Sequence, residues 1–250
     1  MRNIKLILSY DGTDFSGWQR QAANTGRTVQ GIIEGTLEKM HKEPVNLNGS
    51  GRTDSGVHAA GQVANFKTTI KNMESWRFVP ALNSLLPRDI RILDARETLP
   101  DFHARFDARL RTYRYYIICR REAKPWELRY ALLVRRQPDI ELLNAYASLF
   151  RGEMDCTAFA VPGDKSKSRS RFISSASFFY EGDRLVFEIS ANAFLWRMVR
   201  SVMGTLLRFE EKGLSPEYLR EVMESRERSL TGPTAPPEGL FLWKVDFFRS

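Results

Sequence analysis

Apolar side chains at Ile4, Leu6, Leu8 and Tyr10 alternate with Asn3, Lys5 and Ser9, the two-residue period of a strand with one buried face, and the pattern stops in the turn-rich run Asp11-Gly12-Thr13-Asp14. Polar Gln19 to Thr28 reads as a loop. The period then changes. Val29, Ile32, Ile33, Leu37 and Met40 recur every three to four residues, predicting a helix with Thr28 as its N-cap and an end before Pro44. A glycine-rich stretch follows, and alternation resumes at its exit in Gln62 to Phe66 as a strand. Phe78, Val79, Leu82, Leu85 and Leu86 share one helical face that Pro87 terminates, and Ile90 to Leu93 reads as a short strand.

The second half repeats this mixture. Thr112 to Cys119 and Tyr130 to Arg135 read as strands separated by a charged turn with Pro125. A helix is predicted from Pro138 as first helical residue, carrying Leu142, Leu143, Tyr146, Leu149 and Phe150 and ending at a Gly152 cap. Ile173 to Tyr180 and Leu185 to Ala191 flank Glu181-Gly182-Asp183, a hairpin signal. A long helix is expected from Phe194, with Leu195, Met198, Val199, Val202, Leu206 and Leu207 inward, and Ser215-Pro216 opens another to about Arg226. Gly/Pro-rich Thr231 to Gly239 is a loop before a closing strand, Leu240 to Phe247. Strands and helices mixed in this way, with a clear hairpin, give the class α+β with mainly antiparallel sheets. The Arg-rich run Phe102 to Arg111 marks a boundary between two halves, residues 1–106 and 107–250. No Gly/Ser linker separates them, so the halves are expected to be packed together.

Composition narrows the setting. With 250 residues and 42% apolar content the chain can bury a proper core. No run approaches the roughly 18 to 20 apolar residues of a membrane span, and the N-terminus enters a strand pattern instead of a signal peptide, so a soluble cytoplasmic protein is expected. Cys119 and Cys156 lack a partner motif and read as buried free thiols. The 38 basic against 30 acidic residues, a net charge of +8, point toward a polyanionic partner without proving one. The run Lys165-Ser166-Lys167-Ser168-Arg169-Ser170-Arg171 cannot form core; a solvated loop and an RNA phosphate contact both fit it.

The stretch with most chemical content is Gly49 to Phe66, where Gly49, Gly51 and Gly56 bracket Asp54. Glycine permits tight turns and close approach to a ligand. A phosphate-binding loop is excluded, because Gly51 to Gly56 has the spacing but is followed by Val57-His58 instead of Lys and Ser or Thr. The dinucleotide pattern is excluded because Asp54 stands where a third glycine is required. On the residues alone, an Asp that caps a turn amide and an Asp that does chemistry both fit.

The run Gly51-Arg52-Thr53-Asp54-Ser55-Gly56-Val57-His58-Ala59 resembles the catalytic motif of the TruA family of tRNA pseudouridine synthases. Further matches are Tyr10-Asp11-Gly12-Thr13-Asp14-Phe15-Ser16-Gly17-Trp18-Gln19, Phe102-His103-Ala104-Arg105-Phe106, Arg111-Thr112-Tyr113-Arg114-Tyr115, Asn192-Ala193-Phe194-Leu195 and Met198-Val199-Arg200, which spread the similarity over nearly the whole chain. The resemblance implies two ferredoxin-like halves whose sheets join into a central sheet beside a basic cleft. It implies a homodimer that modifies uridines at positions 38, 39 and 40 in the anticodon arm of tRNA. Asp54 is then the catalytic nucleophile, Arg200 its ion-pair partner, Tyr113 the residue that stacks on the uracil, and Arg52 the residue that fills the space of the flipped base.

The residue-level readings stay beside these roles: core packing for Tyr113, a solvated or snorkelling side chain for Arg200, a phosphate contact for Arg52. The reaction brings in no electrons or outside atoms, so neither a redox cofactor nor a metal is expected. His41, His58 and His103 lack metal-site spacing with the two cysteines and read as structural. Two other classes compete. A non-catalytic RNA-binding protein explains the charge but leaves Asp54 without a purpose, and a nucleoside or glycoside hydrolase usually needs a close carboxylate pair.

Overall fold

The computed structural model describes residues 1–20 and 26–247. Along the chain run β1 (Arg2–Tyr10), α1 (Val29–His41), β2 (Leu47–Gly49), β3 (His58–Thr68), α2 (Phe78–Leu85), β4 (Ile90–Thr98), β5 (Ala108–Cys119), β6 (Leu132–Val134), α3 (Ile140–Ser148), β7 (Gly152–Asp155), β8 (Ser170–Glu181), β9 (Arg184–Ala191), α4 (Met198–Glu211), α5 (Pro216–Ser225) and β10 (Leu240–Phe247). They form two compact units, Met1–Arg111 with the stretch from Phe241, and Thr112–Leu240. Half of the loop expected from Gln19 to Thr28, residues 21–25, lies outside the described residues.

In the first unit β1-α1-β2-β3-α2-β4 assemble in the strand order β4-β1-β3-β2, the ferredoxin-like arrangement. β1 pairs antiparallel with both β3 and β4, with Ile4 opposite Phe66 and Glu97. β10 adds a short parallel contact to β3 at His58 and Ala59. The alternation seen in β1 places Ile4, Leu6 and Leu8 in the core, where Val29, Ile33 and Leu37 of α1 and Phe78 and Leu82 of α2 are also buried. Thr28 caps α1 as expected, its hydroxyl accepting the Gly31 amide.

The opposite face of this sheet is polar in sequence yet covered. Asn3 donates to the carbonyls of Leu99 and Phe102 at 2.9 Å each, and Asn65 accepts the Ala104 amide at 2.9 Å while donating to Asn3. These amides satisfy the backbone of the Leu99–Asp107 segment as Phe102 and Ala104 pack on Val63, Ile7, Val245 and Phe247. β4 extends to Thr98, beyond the expected Leu93, because its second half pairs with β1 through backbone bonds while presenting mostly charged side chains.

The second unit orders its strands β5-β9-β8-β7, with β6 parallel to β5. The predicted hairpin is β8-β9, with Glu181 opposite Arg184 and Gly182 at φ +63° in the turn. Helix bounds differ at three places. Asp139 caps α3, accepting the amides of Glu141 and Leu142, so the helix starts after Pro138 instead of on it. Gly152 begins β7 at φ +107° and does not cap α3. α4 starts at Met198, four residues after Phe194, because Arg197 occupies the left-handed region and breaks the helical path. Ser215 and Pro216 open α5 as the pattern requires.

Cys156 is buried and Cys119 half-buried, both free thiols, and burial pushes their pKa values up to about 12 and about 11, so little thiolate forms near neutral pH. No helix among the described residues is long and apolar enough to cross a membrane.

Candidate functional site

Asp54 lies in the loop between β2 and β3, and that loop is tied down from both ends. At its start the Ser50 amide donates to the Val63 carbonyl at 2.8 Å, and the Gln62 amide group donates to Gly51 O at 2.9 Å while its oxygen accepts the Ser50 hydroxyl at 2.7 Å. Arg111, 9% exposed, donates through Nε and Nη2 to Ser50 O at 3.2 and 2.9 Å, and through Nη2 again to Arg105 O at 2.6 Å. A buried guanidinium aimed at carbonyls is costly unless those bonds form, and here it joins the loop to the Leu99–Asp107 segment.

The other half of the loop rests on the Asp11–Trp18 segment. Trp18 N donates to Thr53 O at 3.1 Å, Gly56 N to Phe15 O at 3.3 Å, and Ser55 Oγ to Phe15 O at 3.1 Å. The Tyr10 hydroxyl meets Thr53 Oγ1 at 2.8 Å. The backbone on both sides of Asp54 is therefore held, and Val57 N closes a turn onto Asp54 O at 3.2 Å. Two glycines make this approach possible. A Cβ on Gly12 would lie 2.0 Å from Val57 O, and one on Gly17, at φ +97°, would lie 2.7 Å from Thr53 O. Two sequence motifs that are remote along the chain are thus one object in space.

His58 completes the junction. Its Nδ1 accepts the Gly12 amide at 3.0 Å and sits 3.2 Å from Asp11 Oδ1, while the ring stacks on Phe241 at 4.6 Å between centroids. His41 bonds Leu37 O and Thr68 Oγ1, and His103 Nδ1 accepts the Arg105 amide, so all three histidines have structural partners.

Asp54 itself is half-buried and Arg52 exposed. Partial burial, and then the like charge of Arg105, lower the Arg52 guanidinium from its ordinary value. The loop thus carries an acid and, two residues earlier, a cation beside a second cation.

The second unit carries the other two expected residues. Tyr113 of β5 is 8% exposed, its ring edge-on to Phe194 at 5.1 Å. Arg200 is half-buried in the first turn of α4, where its Nε donates to Ala235 O at 2.7 Å and its carbonyl accepts the Ala235 amide at 3.0 Å. This reciprocal pair fixes the guanidinium against the Thr231–Gly239 loop. Tyr115 holds the same loop, donating to Pro236 O at 2.8 Å.

Arg111, the His58–Gly12 latch and the 231–239 strap escaped sequence reasoning as supports. The available signal for Arg111 was a cation at the start of a predicted strand region, between Leu110 and Thr112, and for Gly12 a glycine two residues past the end of the first strand, after Asp11. A half-buried carboxylate on a rigid loop suits attack on, or proton removal from, a bound sugar.

The chain is similar to known proteins over nearly its whole length. A family model described as tRNA pseudouridine synthase matches residues 6–107 and 146–247. The chain is 55% identical over 249 residues to tRNA pseudouridine synthase A of Treponema denticola, covering 98% of this chain and 93% of the relative. It is 50% identical over 236 residues to the protein of the same name from Treponema pallidum, covering 93% and 84%. To tRNA pseudouridine synthase A 2 of Clostridium perfringens it is 43% identical over 245 residues, covering 98% and 99%.

Proposed function

This chain belongs to the tRNA pseudouridine synthase family and its reaction is the isomerisation of uridine to pseudouridine in tRNA; from that premise we propose that it acts on positions 38, 39 and 40 of the anticodon arm, as a cytoplasmic homodimer, with Asp54 as the catalytic carboxylate. The observation that carries the assignment of Asp54 is its loop, tied on both sides of the acid to the Asp11–Trp18 segment. In the reaction the bond from N1 of uracil to the sugar breaks, the base turns, C5 joins the sugar, and the hydrogen on C5 leaves. A carboxylate is needed at the ribose, either to attack the substrate or to start elimination. Misplacement by about 1 Å can cost on the order of 10²-fold in rate, which is what a fixed loop prevents.

Arg200 is assigned as the cation that keeps Asp54 ionised, on the motif Met198-Val199-Arg200 and on the cost of an unpaired, desolvated carboxylate. Tyr113 is assigned to stack on the displaced uracil, and Arg52 to fill the space that base leaves. The domain reading of residues 1–106 and 107–250 as two cooperating halves belongs to the same proposal. Arg200→Met is expected to lower the single-turnover rate on saturating tRNA by on the order of 10²-fold, with tRNA affinity within a few fold of wild type. Wild-type single-turnover rates in a folded Arg200→Met protein would remove Arg200 from this role.

The reading is tested by incubating the protein with uridine-labelled tRNA. Pseudouridine is expected, mapped by using transcripts that each keep one uridine among positions 38 to 40. Free uracil would indicate hydrolysis, and unchanged uridine with tight binding would indicate a binding protein. Sedimentation of the free protein at the mass of one chain would remove the homodimer.

A further inference from the structure

An exposed tryptophan sits where the basic loop of the second unit meets the turn into α4. Trp196 is 44% exposed although a large aromatic side chain gains by burial. Its backbone is nevertheless fixed, since its amide donates to Asp164 Oδ2 at 2.6 Å. The guanidinium of Arg197 lies 4.6 Å from the indole centroid, and a Cβ on Gly163 would stand 3.5 Å from the six-membered ring. Arg197 holds φ +58°, an uncommon conformation for arginine, kept in place by the bond from Ser201 N to its carbonyl at 2.9 Å.

The same Asp164 reaches the basic run. Its Oδ1 accepts the Ser166 amide at 2.8 Å, so one carboxylate joins the start of Lys165–Arg171 to the tryptophan. The far end is pinned as well, by Cys156 N donating to Arg169 O at 3.0 Å. Between these anchors Lys165 and Lys167 are exposed. A loop that only needed to be soluble has no reason to be fastened at both ends beside an exposed indole.

We propose that Trp196, Arg197 and the Lys165–Arg171 loop form one RNA contact, in which the indole stacks on a single unpaired base of the tRNA substrate and Lys165 and Lys167 neutralise the adjoining phosphates. The proposal rests on the reading of the chain as a tRNA-modifying enzyme and adds to it a stacking residue apart from Tyr113. Charge complementarity selects the occupant: an exposed aromatic ring flanked by cations matches a base with its phosphates, because every base has a π-face and every linkage an anionic charge. A tryptophan whose backbone amide is bonded and whose ring lies beside the Arg197 guanidinium loses less freedom on stacking than an untethered one.

The test measures the dissociation constant of an unmodified tRNA transcript at several salt concentrations. Trp196→Ala is expected to weaken binding about tenfold without changing the salt slope, because stacking releases no counterions. Trp196→Tyr should bind within about twofold of wild type, since it retains a π-face. Lys165→Ala with Lys167→Ala should instead reduce the slope by about one to two. Trp196→Leu replaces the alanine variant if the latter does not fold, and carries the same expectation. Binding by Trp196→Ala or Trp196→Leu within twofold of wild type would overturn the proposal. So would an unchanged affinity accompanied by a changed oligomeric mass in light scattering, which would assign the patch to a second copy of the chain. If the wild-type protein itself shows no salt-sensitive affinity for tRNA, the functional reading fails, and the tryptophan with it.

Discussion

Asp54→Asn is expected to abolish pseudouridine formation, a loss of about 10⁴-fold or more, while tRNA affinity stays within a few fold of wild type. The amide has the shape of the carboxylate, and the bonds made through Thr53, Ser55, Gly56 and the carbonyl of Asp54 remain, because none of them uses the substituted group. What the variant lacks is the negative oxygen proposed to act at the sugar. The readout is tritium released from tRNA carrying 5-³H-uridine, because joining C5 to the sugar must displace the hydrogen there. Hydrolysis would free uracil without that exchange, and binding alone would do neither. Substantial tritium release by a folded Asp54→Asn protein, with deamidation to Asp excluded by mass spectrometry, would remove Asp54 from the catalytic role.

Gly12→Ala is expected to lower the single-turnover rate by on the order of 10²-fold although the substitution adds one methyl group to a residue with no chemistry of its own. The new Cβ would lie 2.0 Å from Val57 O and 2.4 Å from Val57 C, both backbone atoms that cannot rotate away. Either the Asp11–Trp18 segment or the loop must move, and the bond from Gly12 N to His58 Nδ1 is lost with it. Gly35→Ala supplies the contrast. Gly35 lies inside α1 with nothing within 4 Å of its added Cβ, so alanine there should leave the rate unchanged and raise stability by up to about 1 kcal/mol. Melting temperature and single-turnover rate measured on both variants separate a displaced loop from general unfolding. A Gly12→Ala protein with wild-type rate would show that the Asp11–Trp18 segment does not position Asp54.

The amino-acid pattern by itself determined most of the elements. The period-two run in Ile4 to Tyr10, the Thr28-capped helix, the Glu181-Gly182-Asp183 hairpin and the Ser215-Pro216 start of α5 were legible because each is set by local physics: side-chain alternation, an N-cap oxygen, a glycine turn, a proline at the first helical position. The motif also singled out Asp54, whose catalytic role is the proposal. Other features depended on partners far along the chain. β2 and β7, with three and four residues, carry too little pattern to announce themselves and exist because β3 and β8 offer them an edge. The break at Arg197 delayed α4 despite a continuous apolar stripe from Leu195, because periodicity reports which side chains face inward and is silent about a single left-handed residue. Asn3 stood on the polar side of the β1 alternation and is buried with Asn65, since the carbonyls and amide they satisfy lie some 40 to 100 residues away. The same reason holds at the site. Sequence named the acid, and only tertiary structure decided what holds it still: the Gly12 and Gly17 contacts, the Arg111 clamp on Ser50 and the His58 latch all join segments whose proximity no local rule encodes.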